Sequence, residues 1–353
     1  MDGNGNSPRR PTILDVAEHS GVSIATVSRV LADKKGKVSD AVRQTVLASV
    51  RALGYRPNRQ ARTFRTKRTQ LIGLTISDIE NPFYTGIVRA VEDIAYAHQY
   101  SLLLCNTDED PAKERFYLEF MCEERVAGVI ASPTSESETS LQPLIDAGIP
   151  VVAIDRQSRL TPVDCIMVDN VASASMLTRH MLEHGHTAIG AILGTSRMTS
   201  GAQRKAGFLA TLNEAGLPVR ASWVSEVMPS EHNGYEAMRA LLAQPERPTA
   251  VFTGNNLITS GALRALRAAH VRVPDDMSIV GQDDLPWMAL LDVGLTVSAQ
   301  PVREMGRLAT EQLIARINGD GSPQRELMLP PRLIVRDSCA APKGADVAVI
   351  TRR

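Results

Sequence analysis

No stretch of about 18 consecutive apolar residues occurs anywhere in the 353-residue chain, so nothing in it is expected to span a membrane. The opening residues, MDGNGNSPRRP, hold no apolar core of the kind a secretory signal needs, and export is not expected. Only four cysteines are present, at 105, 122, 165 and 339, without C-x-x-C spacing. That pattern speaks against a disulfide framework or a cysteine-based zinc site and suits a reducing cytoplasm. The phosphate-loop, dinucleotide, serine-hydrolase and H-E-x-x-H signatures are missing too. No enzyme is therefore expected, and no catalytic residue, metal ligand or cofactor is assigned.

Net charge is also lacking, but the zero is a sum of opposites. Residues 1–68 carry 14 Lys and Arg against five Asp and Glu, a surplus of nine positive charges. The remaining residues carry 25 against 34, a surplus of nine negative. A small basic head on a larger acidic body suggests a polyanionic partner for the head alone.

The head reads as three helices. Thr12 caps the first, with Asp15 three residues on in a capping-box arrangement, and Gly21 ends it in a tight turn. Ser23 caps a second helix with Val27, Val30 and Leu31 inward, and Val22 and Val27 fix the crossing. Ser39 caps a third, with Val42, Val46, Val50 and Leu53 inward, ending at Gly54. Two short helices across a glycine-containing turn, supported by a third, make a helix-turn-helix. Ile24, Ala25 and Arg29 are left on the outer face of the second helix, where base edges would lie.

The stretches TILDVAEHSGVSIATVSRVL and VSDAVRQTVLASVRALGYRPNRQARTFRTKRT resemble the lactose-repressor (LacI/GalR) family of bacterial transcription regulators in both spacing and residue type, and the similarity runs to about Pro342. The resemblance implies that Thr12, Ser23, Thr26 and Ser28 donate to operator phosphates. Ile24 and Ala25 would make apolar contacts in the major groove, and Arg29 would reach guanine or a phosphate. Asn58 to Lys67 resembles the family's hinge helix, which folds on DNA and presses into the minor groove, with Asn58 and Ala61 at matching positions. Where the family usually wedges leucine between bases, this chain carries Phe64.

From Leu71 onward, strand-like runs at 71–76, 101–106, 128–132, 151–155, 188–193, 250–254, 278–282 and 295–300 alternate with helical periods such as 84–98, 171–184, 256–269 and 302–317. Such alternation predicts parallel sheets wrapped by helices, and the number of strands fits two lobes better than one. The expected fold class is an all-α helix-turn-helix domain joined to an α/β body, two-lobed like periplasmic binding proteins. The expected organisation is a tail at 1–10, a DNA-binding domain at 11–56, a hinge helix at 57–68, a binding and dimerisation domain at 69–340, and a tail at 341–353. The family fold implies a first lobe of 70–168 plus 300–328 and a second of 169–299 plus 329–340.

Ligands of open α/β sheets sit at the carboxyl ends of strands. Asn81, Phe83, Tyr84, Asp155, Arg156, Asn255, Asp283 and Gln300 fall at such ends, and Arg204 opens a helix; the resemblance makes all nine effector contacts. Carboxylates, amides, arginines and ring faces suit a polyol. Asp155–Arg156 also reads as a loop lock, and Asn256 as a helix cap. His184-x-His186 reads as a helix end at Gly185 with imidazoles on last-turn carbonyls, not as a metal pair. The expected protein is a cytoplasmic repressor that binds double-stranded operator DNA as a homodimer under control of a sugar-like effector. The alternatives are a regulator with a purine-like corepressor and a sugar-binding protein that does not bind DNA. After Pro342 only KGADVAVITRR remains, too short for the heptad helix that tetramerises some members of the family.

Overall fold

The computed structural model describes residues 11–31, 38–55, 69–134 and 141–343. The expected tail at 1–10, the hinge segment with Asn58, Ala61 and Phe64, and the end of the chain from 344 lie outside the described residues. The chain divides into two compact units, residues 1–69 and 70–353.

In the first unit, α1 (Ile13–Ser20) opens with the capping box: the Asp15 N–H donates to Thr12 Oγ1 at 3.4 Å, and the Thr12 N–H to Asp15 Oδ2 at 2.6 Å. Gly21 closes it at φ +67°, a left-handed conformation that a β-carbon would strain. At the start of α2 (Ile24–Leu31), Thr26 N–H donates to Ser23 Oγ at 3.2 Å. Before α3 (Asp40–Leu53), the expected cap is half right. Ser39 occupies the cap position, but its side chain makes no capping bond. The site is exposed, so water satisfies the first-turn N–H groups without it. Val16, Ala17, Val27, Val30 and Val46 are buried between the three helices, with Val22, Val42, Val50 and Leu53 packed around them. A 3.0 Å contact between His19 Nδ1 and Ser49 Oγ ties α1 to α3.

The second unit holds two six-stranded sheets. The first contains β1 (Leu71–Ile76), β2 (Ser101–Asn106), β3 (Gly128–Ala131), β4 (Val151–Ile154), β5 (Asp164–Val168) and β11 (Glu326–Leu329), in the order β11-β5-β4-β3-β1-β2. The second contains β6 (Ile189–Gly194), β7 (Val224–Val227), β8 (Ala250–Thr253), β9 (Ser278–Gln282), β10 (Thr296–Ala299) and β12 (Arg332–Ile334), in the order β12-β10-β9-β8-β6-β7. The orders match strand for strand. All pairings are parallel except β10 with β12. Parallel strands need crossovers, supplied here by α4 (Pro82–Ala97), α5 (Pro111–Glu123), the short α6 (Gln142–Asp146), α7 (Asn170–Glu183), α8 (Thr199–Glu214), α9 (Glu231–Leu242), α10 (Asn256–Ala268) and α11 (Val302–Ile317). Being covered on both faces, the central strands are nearly all buried: β1, β3, β4, β5, β8 and β9 show no exposed residue. The chain passes between the sheets three times, after β5, after β10 and after β11. α11 packs on α4 and completes the first lobe's core through Met305, Ala309 and Leu313.

The return from α11 to β11 is fastened at one point. Asp164, at the start of β5 and 3% exposed, accepts from Arg316 Nε at 2.7 Å, Arg316 Nη2 at 2.9 Å and the Arg325 N–H at 2.9 Å. Burial alone would raise the Asp164 pKa, but these donors outweigh it and hold it low. Arg316→Ala leaves that carboxylate buried without its counter-charge, which should cost about 3 kcal/mol in urea unfolding. Because the folded pKa is depressed, the contribution is complete above the unfolded carboxylate range. It is lost as pH falls through the folded value, so the gap between parent and variant should narrow in acid.

Candidate functional site

The outer face of α2 is built by local sequence. Its buried stripe turns Val27 and Val30 inward, which leaves Ser23, Ala25 and Arg29 exposed and Thr26 and Ser28 half-buried. Ile24 is 45% exposed at the helix start, an apolar side chain presented to solvent with no core to fill. The hydroxyls are partly engaged within the unit: Thr12 Oγ1 donates to Asp15 Oδ2 at 2.8 Å, and Ser23 Oγ and Thr26 Oγ1 lie 2.9 Å apart.

In the second unit, Asn81, Phe83, Tyr84, Asp155, Arg156, Arg204, Asn255, Asp283 and Gln300 all line one cleft between the sheets, with about 70 Å³ of space reachable by water. The strand order explains the convergence. β4 and β9 occupy corresponding places, and each ends in an aspartate with left-handed backbone, Asp155 at φ +69° and Asp283 at φ +73°. Each aspartate N–H bonds the neighbouring strand at 2.9 Å, Asp155 to the Ile166 carbonyl and Asp283 to that of Ser298. Aspartate tolerates this conformation better than most residues, though it carries some strain.

Around Asp155, the Tyr84 hydroxyl donates to Oδ2 at 3.0 Å, with the Ser77 and Ser132 hydroxyls at 3.1 and 3.2 Å. Burial pushes the Tyr84 hydroxyl well above its ordinary pKa, so it stays a neutral donor. Burial also raises the Asp155 pKa, opposed by Arg156 and Arg204. Arg156 meets Glu109 in a two-point pair at 2.7 and 2.9 Å and donates to the Pro133 carbonyl at 3.2 Å. It therefore both lines the cleft and locks a loop. Its Nε is buried without a hydrogen-bond partner among the described residues.

On the facing side, Arg204 Nε donates to Asn170 Oδ1 at 2.9 Å and Nη1 to the Gly254 carbonyl at 2.7 Å. Burial lowers its pKa, opposed by Asp283 and Asp155. Gln300 Nε2 donates to Asp283 Oδ1 at 2.6 Å, while Gln300 Oε1 is buried with no partner among the described residues.

Two expectations need correction. The cap of α10 is Asn255, whose Oδ1 accepts from the Ile258 N–H at 2.9 Å. Asn256 is instead the first residue of the helix, 2% exposed, and its Nδ2 donates to Asp283 Oδ2 at 2.7 Å and to Asn81 Oδ1 at 2.8 Å. That last bond joins the lobes. In an Asn-Asn pair only position decides which residue caps, and sequence left it open by one residue. At the end of α7, His184 Nδ1 contacts the His180 carbonyl at 2.8 Å as expected. The His186 backbone N–H donates to the Met181 carbonyl at 3.2 Å, but its imidazole does not bond helix carbonyls; past the turn at Gly185 the ring is buried between Thr249 Oγ1 at 2.8 Å and Ser278 Oγ at 3.1 Å. Glu109 was missed. It follows β2 within TDED, so the strand-end rule applied to that strand would have found it.

A three-helix helix-turn-helix unit, with a second unit of two matched α/β lobes around a polar cleft, defines a DNA-binding transcriptional regulator with a periplasmic-binding-protein-like body. Residues 12–58 match the family of bacterial regulatory proteins described as lacI, and residues 178–339 match the periplasmic binding protein-like domain. The chain belongs to the lacI family. It is 35% identical over 332 residues to the HTH-type transcriptional regulator DegA of Bacillus subtilis (strain 168), covering 93% of this chain and 98% of that one. It is 35% identical over 330 residues to the HTH-type transcriptional repressor PurR of Photorhabdus laumondii subsp. laumondii, covering 93% and 96%. Among solved structures, the lac repressor dimer bound to operator and the anti-inducer ONPF is 26% identical with a TM-score of 0.82, covering 94% of this chain and all of that one. The complex of the transcriptional regulator CelR with cellobiose is 31% identical with a TM-score of 0.71, covering 93% and 100%. These relatives are transcriptional regulators. Among the described residues no helix is long and apolar enough to cross a membrane.

Proposed function

We propose that the chain is a cytoplasmic repressor that binds a near-palindromic operator as a homodimer and is controlled by a sugar or sugar derivative in the interlobe cleft. The α2 face, with Ile24, Ala25 and Arg29 outward and Thr12, Ser23, Thr26 and Ser28 around it, is the reading surface in this account. Asn58, Ala61 and Phe64 are assigned to the hinge. The observation that carries the effector reading is the convergence of nine side chains from two sheets on one cleft. Two carboxylates, two arginines and three amides outnumber its two aromatics, a donor and acceptor set suited to vicinal hydroxyls. The relative solved with cellobiose supports the same class. A planar purine-like corepressor is the second reading, favoured by Phe83 and Tyr84, which meet edge to face at 5.0 Å on the cleft wall.

A ligand that bridges Asp155 and Arg156 in one lobe and Arg204 and Asp283 in the other would bias the lobe angle, and with it the operator affinity of the dimer. Thermal-shift screening against sugars, sugar acids and purines tests the ligand class, with stabilisation by one class the expected result. Stabilisation by purines alone would replace the sugar assignment. For the head, operator affinity should fall steeply with salt, because each neutralised phosphate releases counterions. Arg29→Ala should cost about 1–3 kcal/mol if it reads a base. An equal loss across all operator variants would make Arg29 a phosphate contact.

A further inference from the structure

We propose that His180, His184 and Cys339 form a zinc site beside the start of β9, at the end of the second sheet opposite the cleft. His180 and His184 stand one turn apart on α7, which places both imidazoles on the same face of the helix. Their ring centroids are 4.4 Å apart. Cys339 arrives from the far end of the chain. The Thr296 N–H donates to Ser338 Oγ at 2.8 Å, Ser338 Oγ donates to the Ile279 carbonyl at 2.6 Å, and the Ala340 N–H donates to Ser278 Oγ at 3.1 Å. These bonds hold Cys339 beside the start of β9, whereas Asp283 follows its other end.

One ring nitrogen of each histidine and the Cys339 sulfur all lie within 4.8 Å of one another. Tetrahedral zinc with Zn–N of about 2.0–2.1 Å and Zn–S of about 2.3 Å would set these atoms about 3.3–3.6 Å apart, so a contraction of up to about 1.5 Å completes the triangle. A second observation points to a ligand. His180 is 5% exposed, and its Nε2 is buried with no hydrogen-bond partner among the described residues. A buried imidazole nitrogen without a partner is rare unless something binds it. His184 Nδ1 is engaged with the His180 carbonyl at 2.8 Å, which fixes the tautomer and leaves the lone pair on Nε2. His186 is excluded, because both its nitrogens already have hydroxyl partners.

The chemistry of the set agrees with the geometry. Zinc binding would displace the Cys339 thiol proton to solvent as the thiolate bond forms. Two imidazoles and a thiolate make a zinc donor set. His184 is half-buried, so water reaches a fourth position. The ion would pin the segment after β12 to the end of α7. In sequence His184 stands nearest His186, and only the fold brings Cys339 to the turn that carries His180 and His184.

The test is a cobalt and zinc titration of the full-length protein after chelator treatment. One equivalent of Co²⁺ should produce a thiolate-to-cobalt charge-transfer band that Zn²⁺ removes, and Zn²⁺ should raise the unfolding temperature. Cys339→Ala should abolish the band. His184→Gln, a change at a half-buried helix end that the fold should tolerate, should weaken zinc by more than the ~10–100-fold that loss of an outer-shell partner costs. Absence of a band in the parent, a band undiminished in Cys339→Ala, or unchanged zinc affinity in His184→Gln would each overturn the proposal.

Discussion

Arg204→Ala should abolish the effector response while leaving operator binding in the absence of effector unchanged. Arg204 lies on the cleft wall, 8% exposed, with its guanidinium aimed by Asn170 and the Gly254 carbonyl rather than by chance packing. A ligand hydroxyl or carboxylate that meets this group in a closed cleft has left water behind. Removing the arginine leaves that ligand group unpaired and takes from the cleft a positive charge that faces both Asp283 and Asp155, although Asp155 keeps Arg156 beside it. A loss of about 2–4 kcal/mol follows, roughly 30- to 1,000-fold in effector Kd. Asp283→Ala should act in the same direction with an added cost, because Asp283 also holds Asn256 and Gln300. Isothermal titration with the screened effector measures both. Parent-like affinity in the two variants would remove the cleft from the account.

The largest stability loss is expected from a single methyl group at Gly261. A β-carbon there would stand 2.0 Å from the Glu231 carbonyl oxygen and 2.6 Å from the Tyr235 nitrogen, both backbone atoms of α9. The crossing is reciprocal, since a β-carbon on Gly234 would stand 2.5 Å from the Ile258 carbonyl oxygen. Neither neighbour is the end of a flexible side chain, so the methyl can be fitted only by moving α9 and α10 apart and opening the core around Met238, Ala262 and Leu266. At an exposed helical site the same substitution would stabilise by about 1 kcal/mol. Here overpacking should destabilise by about 3 kcal/mol or more, so the sign itself is diagnostic. Gly321→Ala, with nothing within 4 Å, is the control and should stay within about 0.5 kcal/mol of the parent. Denaturant midpoints of the two variants decide it.

What sequence made legible follows the strength of the physical signals. Strands buried on both faces, such as 71–76 and 278–282, announce themselves as short apolar runs between turn residues. β5 was not singled out, because it opens with a charged residue whose burial is compensated by Arg316 from 152 residues away. β7 and β11 are four-residue edge strands, β11 with Glu326, Leu327 and Met328 all exposed, and β12 spans three residues, so none carries a periodic pattern. The cleft residues were readable because strand ends are where loops place chemistry. Glu109 was within reach of the same rule at the end of β2, but its pairing with Arg156 and the bridging role of Asn256 were not, since each depends on a partner in another element. The triad at His180 shows the same limit, with two ligands local and the third about 155 residues distant.

The most direct measurement of the central claim is operator binding by the full-length protein, read as fluorescence anisotropy of a duplex selected from a random library, with and without the compound that stabilises the protein in the thermal-shift screen. The account predicts a selected duplex with two-fold symmetry. It also predicts that the compound changes the operator Kd by at least about tenfold in the parent, a coupling of about 1.4 kcal/mol, and leaves it unchanged in Arg204→Ala. Selection of no preferred sequence, or an equal response to the compound in parent and Arg204→Ala, would contradict it.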